Sequence, residues 1–307
     1  MLSYAAKRLF GAVATLLVLI TLAFFLMRSA PGGPFDRERA LPPEIETALQ
    51  RAYHLDEPLW RQYLRYLGGV AHGDLGPSFQ YPDYRVSELI AAGAPVSLKL
   101  GASAMLLAIM FGGAAGVGAA LRRNGPLDRL LMVAALAGIS VPSYVVAPLL
   151  ILVFAVALGW LPAGGWSAHG FGDAILPVVT LALPQIAYIA RLMRASMSEA
   201  LDANFIRTAR AKGLPMRHIV LRHAMPAALM PVLSYLGPAA AGVVTGSVVV
   251  EQIFGLPGIG RYFVLAALNR DYTLVLGVVL FYGVLTLMFN LVVDLLYGAL
   301  DPRVRYA

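Results

Sequence analysis

Apolar residues along this chain gather into long, nearly uncharged runs separated by short polar stretches. Six runs are long enough to cross a hydrocarbon core of about 30 Å, which takes roughly 20 helical residues. They lie near Leu9–Met27, Leu100–Leu121, Leu130–Leu158, Ala174–Met193, Ala227–Val250 and Tyr272–Leu296. The pattern predicts an all-α polytopic membrane protein with six transmembrane helices. Between the fourth and fifth runs, over residues 191–226, the pattern becomes that of a surface helix. Leu201, Phe205, Ile206 and Ala209 share one helical stripe, while Asp202, Arg207, Arg210 and Lys212 take the remainder. Gly213 and Pro215 supply the stop, a permissive residue past the C-terminus followed by one that cannot continue the helix. A second short helix can start there, with Met216, Ile219 and Val220 on one side and Arg217, His218 and Arg222 elsewhere. The unit reads helix, glycine turn, helix, lying in water at a membrane surface.

The other sizeable polar stretch runs from 29 to 99. Pro31-Gly-Gly-Pro34 breaks the first helix. Helices are expected over Pro43–Tyr53, with Glu44 and Glu46 in its first turn, and over Glu57–Val70, with Leu59, Tyr63, Tyr66 and Leu67 at helical spacing. The turn-rich His72–Phe79 and Tyr81–Tyr84 follow, and the whole suits a small cap at the outer mouth. His54 and His72 are expected to make loop or cap hydrogen bonds, because no further metal ligands accompany them.

Composition narrows the class. Of 307 residues 59% are hydrophobic and 13% charged, and the mean hydropathy is +0.72, values of an integral membrane protein. The net charge of +7 is distributed by topology. With the N-terminus inside, fourteen basic residues (Lys7, Arg8, Arg122, Arg123, Arg129, Arg191, Arg194, Arg207, Arg210, Lys212, Arg217, Arg222, Arg303 and Arg305) fall on the inner side. Only Asp128, Glu199, Asp202 and Asp301 oppose them. The outer segments balance ten basic residues with at least eleven acids, so both termini are expected in the cytoplasm. No basic stripe with stacking aromatics suggests nucleic acid. The absence of cysteine excludes disulfides and thiolate metal sites. The first run lacks a cleavage site and reads as an uncleaved helix.

Within the spans, Gly112-Gly-Ala-Ala-Gly116 and Gly242-xxx-Gly246 offer small surfaces for close helix packing. Prolines concentrate in the third span (Pro142, Pro148) and the fourth (Pro177, Pro184), where freed carbonyls are tolerated beside water or neighbours. Tyr144, Gln185 and Tyr188 are the path-lining candidates that follow. Trp160 and Trp166 suit the outer interface. Asp173 and Asp294 are the deep charges, both near span ends, and Asp294 with Asn290 is expected to serve a snorkelling or helix–helix hydrogen bond.

The interval of thirteen residues from Gly213 to Pro226 resembles the cytoplasmic loop signature of ABC importer permeases. That family's acidic residue and two alanines would fall at Arg207, Thr208 and Ala209, so the acidic residue is missing here. The run Phe205-Ile-Arg-Thr-Ala-Arg-Ala-Lys-Gly213-Leu is similar to the variant in the peptide (oligopeptide, dipeptide, nickel) branch. So are His72-Gly-Asp-Leu-Gly76, Thr245-Gly-Ser247, Asn269-Arg-Asp-Tyr272 and the tail Asp301-Pro-Arg-Val-Arg305, and the oligopeptide-type B subunit is the nearest pattern. The resemblance implies a type I ABC importer permease fold: a first transmembrane helix over 1–28, an extracytoplasmic cap over 29–99, and a five-helix core over 100–307. It implies a multi-pass subunit of the bacterial inner membrane forming half of an oligopeptide pathway. Its partners would be a second homologous permease, two cytoplasmic P-loop ATPases and an extracytoplasmic peptide-binding protein. Leu201, Phe205, Ile206, Arg207, Ala209, Arg210, Lys212, Gly213 and Pro226 would form the ATPase-coupling element, with Phe205, Ile206 and Ala209 entering the ATPase groove.

The chain has no G-x-x-x-x-G-K-[ST] loop. It is therefore expected to be no enzyme and to hold no cofactor, ATP and magnesium residing on the partner ATPases. Two other readings are an ion-gradient-driven secondary carrier, which calls for paired ionisable residues within spans, and an intramembrane hydrolase, whose motifs are missing.

Overall fold

The computed structural model describes residues 2–29, 32–33, 42–167 and 171–300. The tail with Arg303 and Arg305, and Pro31, Pro34 and Asp301, lie outside the described residues. The regular secondary structure of the described residues is helical, apart from one isolated bridge between Pro77 and Arg85. Five helices are long and apolar enough to span a membrane, or six if one sharply bent pair counts as a single span. The chain divides into two compact units, residues 1–96 with 258–285 and residues 97–257 with 286–307.

In the first unit, α1 (Leu2–Ser29) is followed by α2 (Pro43–Ala52) and α3 (Leu59–Ala71). Each of the two short helices starts directly after a proline with extended backbone, at Pro42 and Pro58. Next comes the start of α4 (Val86–Leu107), then α12 (Ile259–Leu268) and the first part of α13 (Tyr272–Leu300). The core joins Val86, Leu89 and Ile90 of α4 to Ile259 and Ala266 of α12 and Leu274, Val275 and Val278 of α13. Asp271 is fully buried and caps α13, accepting from Leu274 N at 3.0 Å. Its other oxygen accepts from Ser78 Oγ at 2.5 Å and Gln80 N at 3.0 Å. That carboxylate ties the turn-rich 77–81 stretch to the start of a span. His72 bonds the Gly68 carbonyl through Nδ1 at 2.7 Å, and His54 adopts φ +55° just past α2.

α4 begins well before the apolar run that marks the second span. Glu88 accepts from Arg85 N at 2.9 Å in its first turn, and the helix runs on through a π-helical turn at Ala108–Gly112 into α5 (Gly113–Leu121). The result is one element of 36 residues.

The second unit holds the rest of α4, α5, α6 (Pro126–Ser140), α7 (Ser143–Leu150), α8 (Phe171–Asp202), α9 (Asn204–Ala211), α10 (Met216–His218), α11 (Met225–Phe254) and the end of α13. Its core draws on Ile189, Met193, Met197, Ile206, Ile219, Val220 and Val232. A Cβ on Gly116 would sit 2.6 Å from Ala190 O and 2.6 Å from Met193 Cβ, and one on Gly112 would sit 2.7 Å from Ile186 O. Only hydrogen permits α5 to lie this close to α8. The second small-residue pair behaves differently: a Cβ on Gly242 or Gly246 meets nothing within 4 Å.

The third expected span is not one straight helix. α6 and the helical stretch Ser143–Ala157, which ends in π-helical turns from Ile151, meet at a bend of 102°. Val141 precedes Pro142 and takes the extended conformation (φ −90°, ψ 117°), as the proline ring demands of the residue before it. The fourth span runs on past Met193 to Asp202, despite Pro177 and Pro184. At 32 residues it is about 48 Å long, so the basic residues Arg191 and Arg194 are helical.

Candidate functional site

α9 is fixed at both ends by backbone chemistry. Ala203 turns out of helical geometry (φ −68°, ψ 152°) and separates it from α8. At its far end Gly213 takes φ +73°. Leu214 N then donates to Ala209 O at 3.3 Å and Gly213 N to Arg210 O at 2.9 Å, the paired bonds of a glycine-terminated helix. Pro215 starts the next helix at once, and the chain passes through α10 and a π-helical turn (Ile219–Ala224) into α11, where exposed Pro226 is the second residue.

Within α9 the expected stripe divides. Ile206 is 0% exposed and Ala209 2%, both sunk in the subunit's own core, with Leu201 and Leu214 packed against it. Phe205, one residue away and about 100° round the helix, is 48% exposed. Arg207, Arg210, Lys212 and Gly213 are exposed as well. Among the described residues the three cations have no carboxylate within ion-pair distance. Ile206 and Ala209 are thus anchors turned inward and unavailable to a docking partner. The outward face is one aromatic ring among three positive charges.

Two ion pairs brace the end of α8 beside this helix. Arg194 gives Nε and a terminal nitrogen to the two oxygens of buried Asp128, at 3.0 and 2.7 Å, and Asn124 N adds a third bond at 2.9 Å. Arg123 pairs with Asp202 at 2.8 Å on the surface. The 122–125 turn and the first turn of α6 are thereby clamped to α8.

Of the path candidates, Gln185 and Tyr188 come together on α8, and Tyr235 of α11 joins them. The Tyr188 and Tyr235 rings stack with centroids 4.3 Å apart and 18° between planes, while Tyr235 OH donates to Gln185 Oε1 at 2.6 Å. Tyr188 keeps 46% of its surface exposed. Tyr144, on α7, is 60% exposed and makes no ring contact among the described residues.

Sequence reading missed Tyr235, which lay inside an unremarkable apolar run. It also missed Glu251, fully buried at the end of α11, whose Oε1 accepts from Ser97 Oγ and Ser247 Oγ, each at 2.7 Å. The serine four residues before that glutamate, on the same helical face, was the available signal. Asp173 accepts from Ser167 N and Oγ at 2.6 and 2.7 Å. Among the described residues no group of three or more His, Asp or Glu is placed to hold a metal ion.

The profile described as binding-protein-dependent transport system inner membrane component matches residues 108–306, and its N-terminal companion matches residues 1–83. The chain is 56% identical over 306 residues to the oligopeptide transport system permease protein OppB of Salmonella typhimurium, covering 100% of both chains. It is 44% identical to the dipeptide transport system permease protein DppB of Bacillus subtilis, covering 99% of this chain and 98% of that one. Among solved structures, the MetNI methionine ABC transporter aligns with a TM-score of 0.56 at 19% identity, over 70% of this chain and 97% of that one. An amino acid ABC transporter aligns with a TM-score of 0.51 at 22% identity, over 69% and 94%. The two structural likenesses give the fold of an ABC importer permease.

Proposed function

The chain belongs to the binding-protein-dependent transport system inner membrane component family, and on that premise we propose that it forms half of the translocation pathway for oligopeptides in an ATP-driven importer. It is a multi-pass membrane transport subunit, a component without catalysis of its own. The observation that carries the peptide reading is the 56% identity to an oligopeptide permease along the whole chain. An ion-gradient-driven carrier is set aside by the same membership.

In this reading the bent pair α6–α7 counts as one of six spans. Both termini lie in the cytoplasm of a bacterial inner membrane, as the basic excess on that side favours. Residues 1–28 are the first span, 29–99 the extracytoplasmic cap and 100–307 the permease core, with its coupling loop at 191–226. A second homologous permease completes the pathway, an extracytoplasmic binding protein delivers the peptide, and two P-loop ATPases hold ATP and magnesium. α9 meets an ATPase through Phe205, with Arg207, Arg210 and Lys212 at the rim. Ile206, Ala209, Leu201 and Gly213 hold the helix in position, and Pro226 sits in the first turn of α11 behind it. Tyr188, Gln185 and Tyr235 face the peptide from α8 and α11, with Tyr144 on the α7 side. Aromatic faces and amide dipoles tolerate varied cargo where a fixed charge would select.

The test is affinity purification of the tagged subunit from membranes, with mass spectrometry of what stays bound. Recovery of a second permease and two P-loop ATPases, lost in Phe205→Asp, is the expected result. A subunit that carries no ATPase and moves substrate under an ion gradient would overturn the reading.

A further inference from the structure

Away from the coupling helix, the unit built from residues 1–96 and 258–285 contains a cavity of about 380 Å³, a volume that suits a small amphipathic molecule. Phe24, Phe79 and Leu276 give it apolar wall, and Arg28, Gln62 and Tyr66 give it polar wall. The polar groups are arranged unusually. The Arg28 guanidinium lies over the rings of Phe24 and Tyr272, at 5.3 and 5.1 Å, and one terminal nitrogen donates to Gln62 Oε1. Gln62 is buried and fixed, its amide nitrogen donating to Leu55 O at 3.1 Å and Glu57 O at 2.7 Å, so its oxygen is turned to the arginine. Arg28 Nε is buried without an acceptor, and among the described residues no carboxylate pairs with this side chain.

The Tyr66 hydroxyl is in the same condition, buried and without a partner. Burial pushes its pKa up, so it stays protonated and remains a donor. The other charges on this wall are already engaged. Asp74 accepts from Gly76 N at 2.9 Å and pairs with Arg85 at 3.0 Å, and Arg65 pairs with Glu57 at 2.6 Å. Buried donors without acceptors are uncommon because each forfeits its hydration. Here both belong to residues that line one cavity, and one of these residues is a cation whose planar fork matches a carboxylate.

We propose that this cavity binds a carboxylate-bearing ligand, its carboxylate taken by Arg28 and Tyr66 and its apolar part lodged among Phe24, Phe79 and Leu276. In a peptide importer the carboxyl terminus of a peptide is a ligand of this chemistry. That last step rests on the transport reading, whereas the binding itself does not.

The test uses the purified importer in nanodiscs, with neither nucleotide nor binding protein, titrated with N-acetyl-L-phenylalanine, its uncharged amide and inorganic phosphate. The acid is expected to bind, with the amide at least about tenfold weaker, and Tyr66→Phe and Arg28→Gln each to weaken the acid by about tenfold. Tyr66→Phe removes a hydroxyl that has no partner, so the unliganded variant should melt no lower than the parent. Equal binding of acid and amide would overturn the proposal, as would unchanged affinity in both variants, or binding of phosphate in place of the acid. None of these failures touches co-purification with ATPases, so they leave the transport reading standing.

Discussion

Adjacent residues of α9 are expected to separate anchoring from docking. Ile206 is wholly buried, so Ile206→Ala loses the transfer energy of its side chain and leaves a cavity among Met197, Ile219 and Val220, a loss of about 2–5 kcal/mol. Phe205 is 48% exposed, and substitutions at such positions cost roughly 0.5 kcal/mol. Phe205→Asp places an acid at the second residue of the helix, where the helix dipole favours it, so α9 itself should persist. Thermal unfolding of the solubilised subunit, followed by circular dichroism, is expected to show a lowered midpoint for Ile206→Ala and an unchanged one for Phe205→Asp. Peptide-stimulated ATPase activity of the reconstituted importer should show the opposite order, with Phe205→Asp near the uncoupled baseline. A Phe205→Asp subunit that melts early, or an Ile206→Ala subunit that melts normally, would refute the division.

At Gly213 a Cβ would meet nothing within 4 Å, so Gly213→Ala costs only the left-handed backbone, about 1–2 kcal/mol, and Gly213→Asn should recover part of it. Coupled ATPase activity across the two variants checks this, and equal loss in both would indicate a role for the missing side chain. For the Asp128–Arg194 clamp, Asp128→Ala should lower stability by about 1–3 kcal/mol by removing charge-assisted bonds. The double variant with Arg194→Ala should cost less than the sum of the singles, a coupling read by a double-mutant melting cycle.

Much of this was legible in the sequence for a simple reason: a membrane allows few backbone solutions, so apolar run length reports helices directly. The α9 stop was equally legible, because Gly213 and Pro215 act through their own backbone restrictions and need no tertiary partner. The bend at Pro142 was only half visible. The residue types were plain, yet a proline in a span permits either a kink or a break, and the neighbours decide. The stripe Leu201, Phe205, Ile206, Ala209 exposed a different limit: periodicity gives the width of an apolar face without saying who covers it. Here Ile206 and Ala209 are covered from within the same chain, in a core that includes Met197, Ile219 and Val220, while Phe205 is left half exposed. Glu251 stayed hidden because its acceptance from Ser97 joins residues 154 positions apart.

The inward seating of Ile206 and Ala209 has a thermodynamic consequence for assembly. A helix of 8 residues has too few internal bonds to persist alone in water. Held by its own subunit's core and by the Gly213 terminus, α9 is formed within the single chain, with no partner present. On the proposed coupling role, an ATPase meeting it would owe no ordering entropy for this segment, so a contact as small as one ring and three cations would suffice.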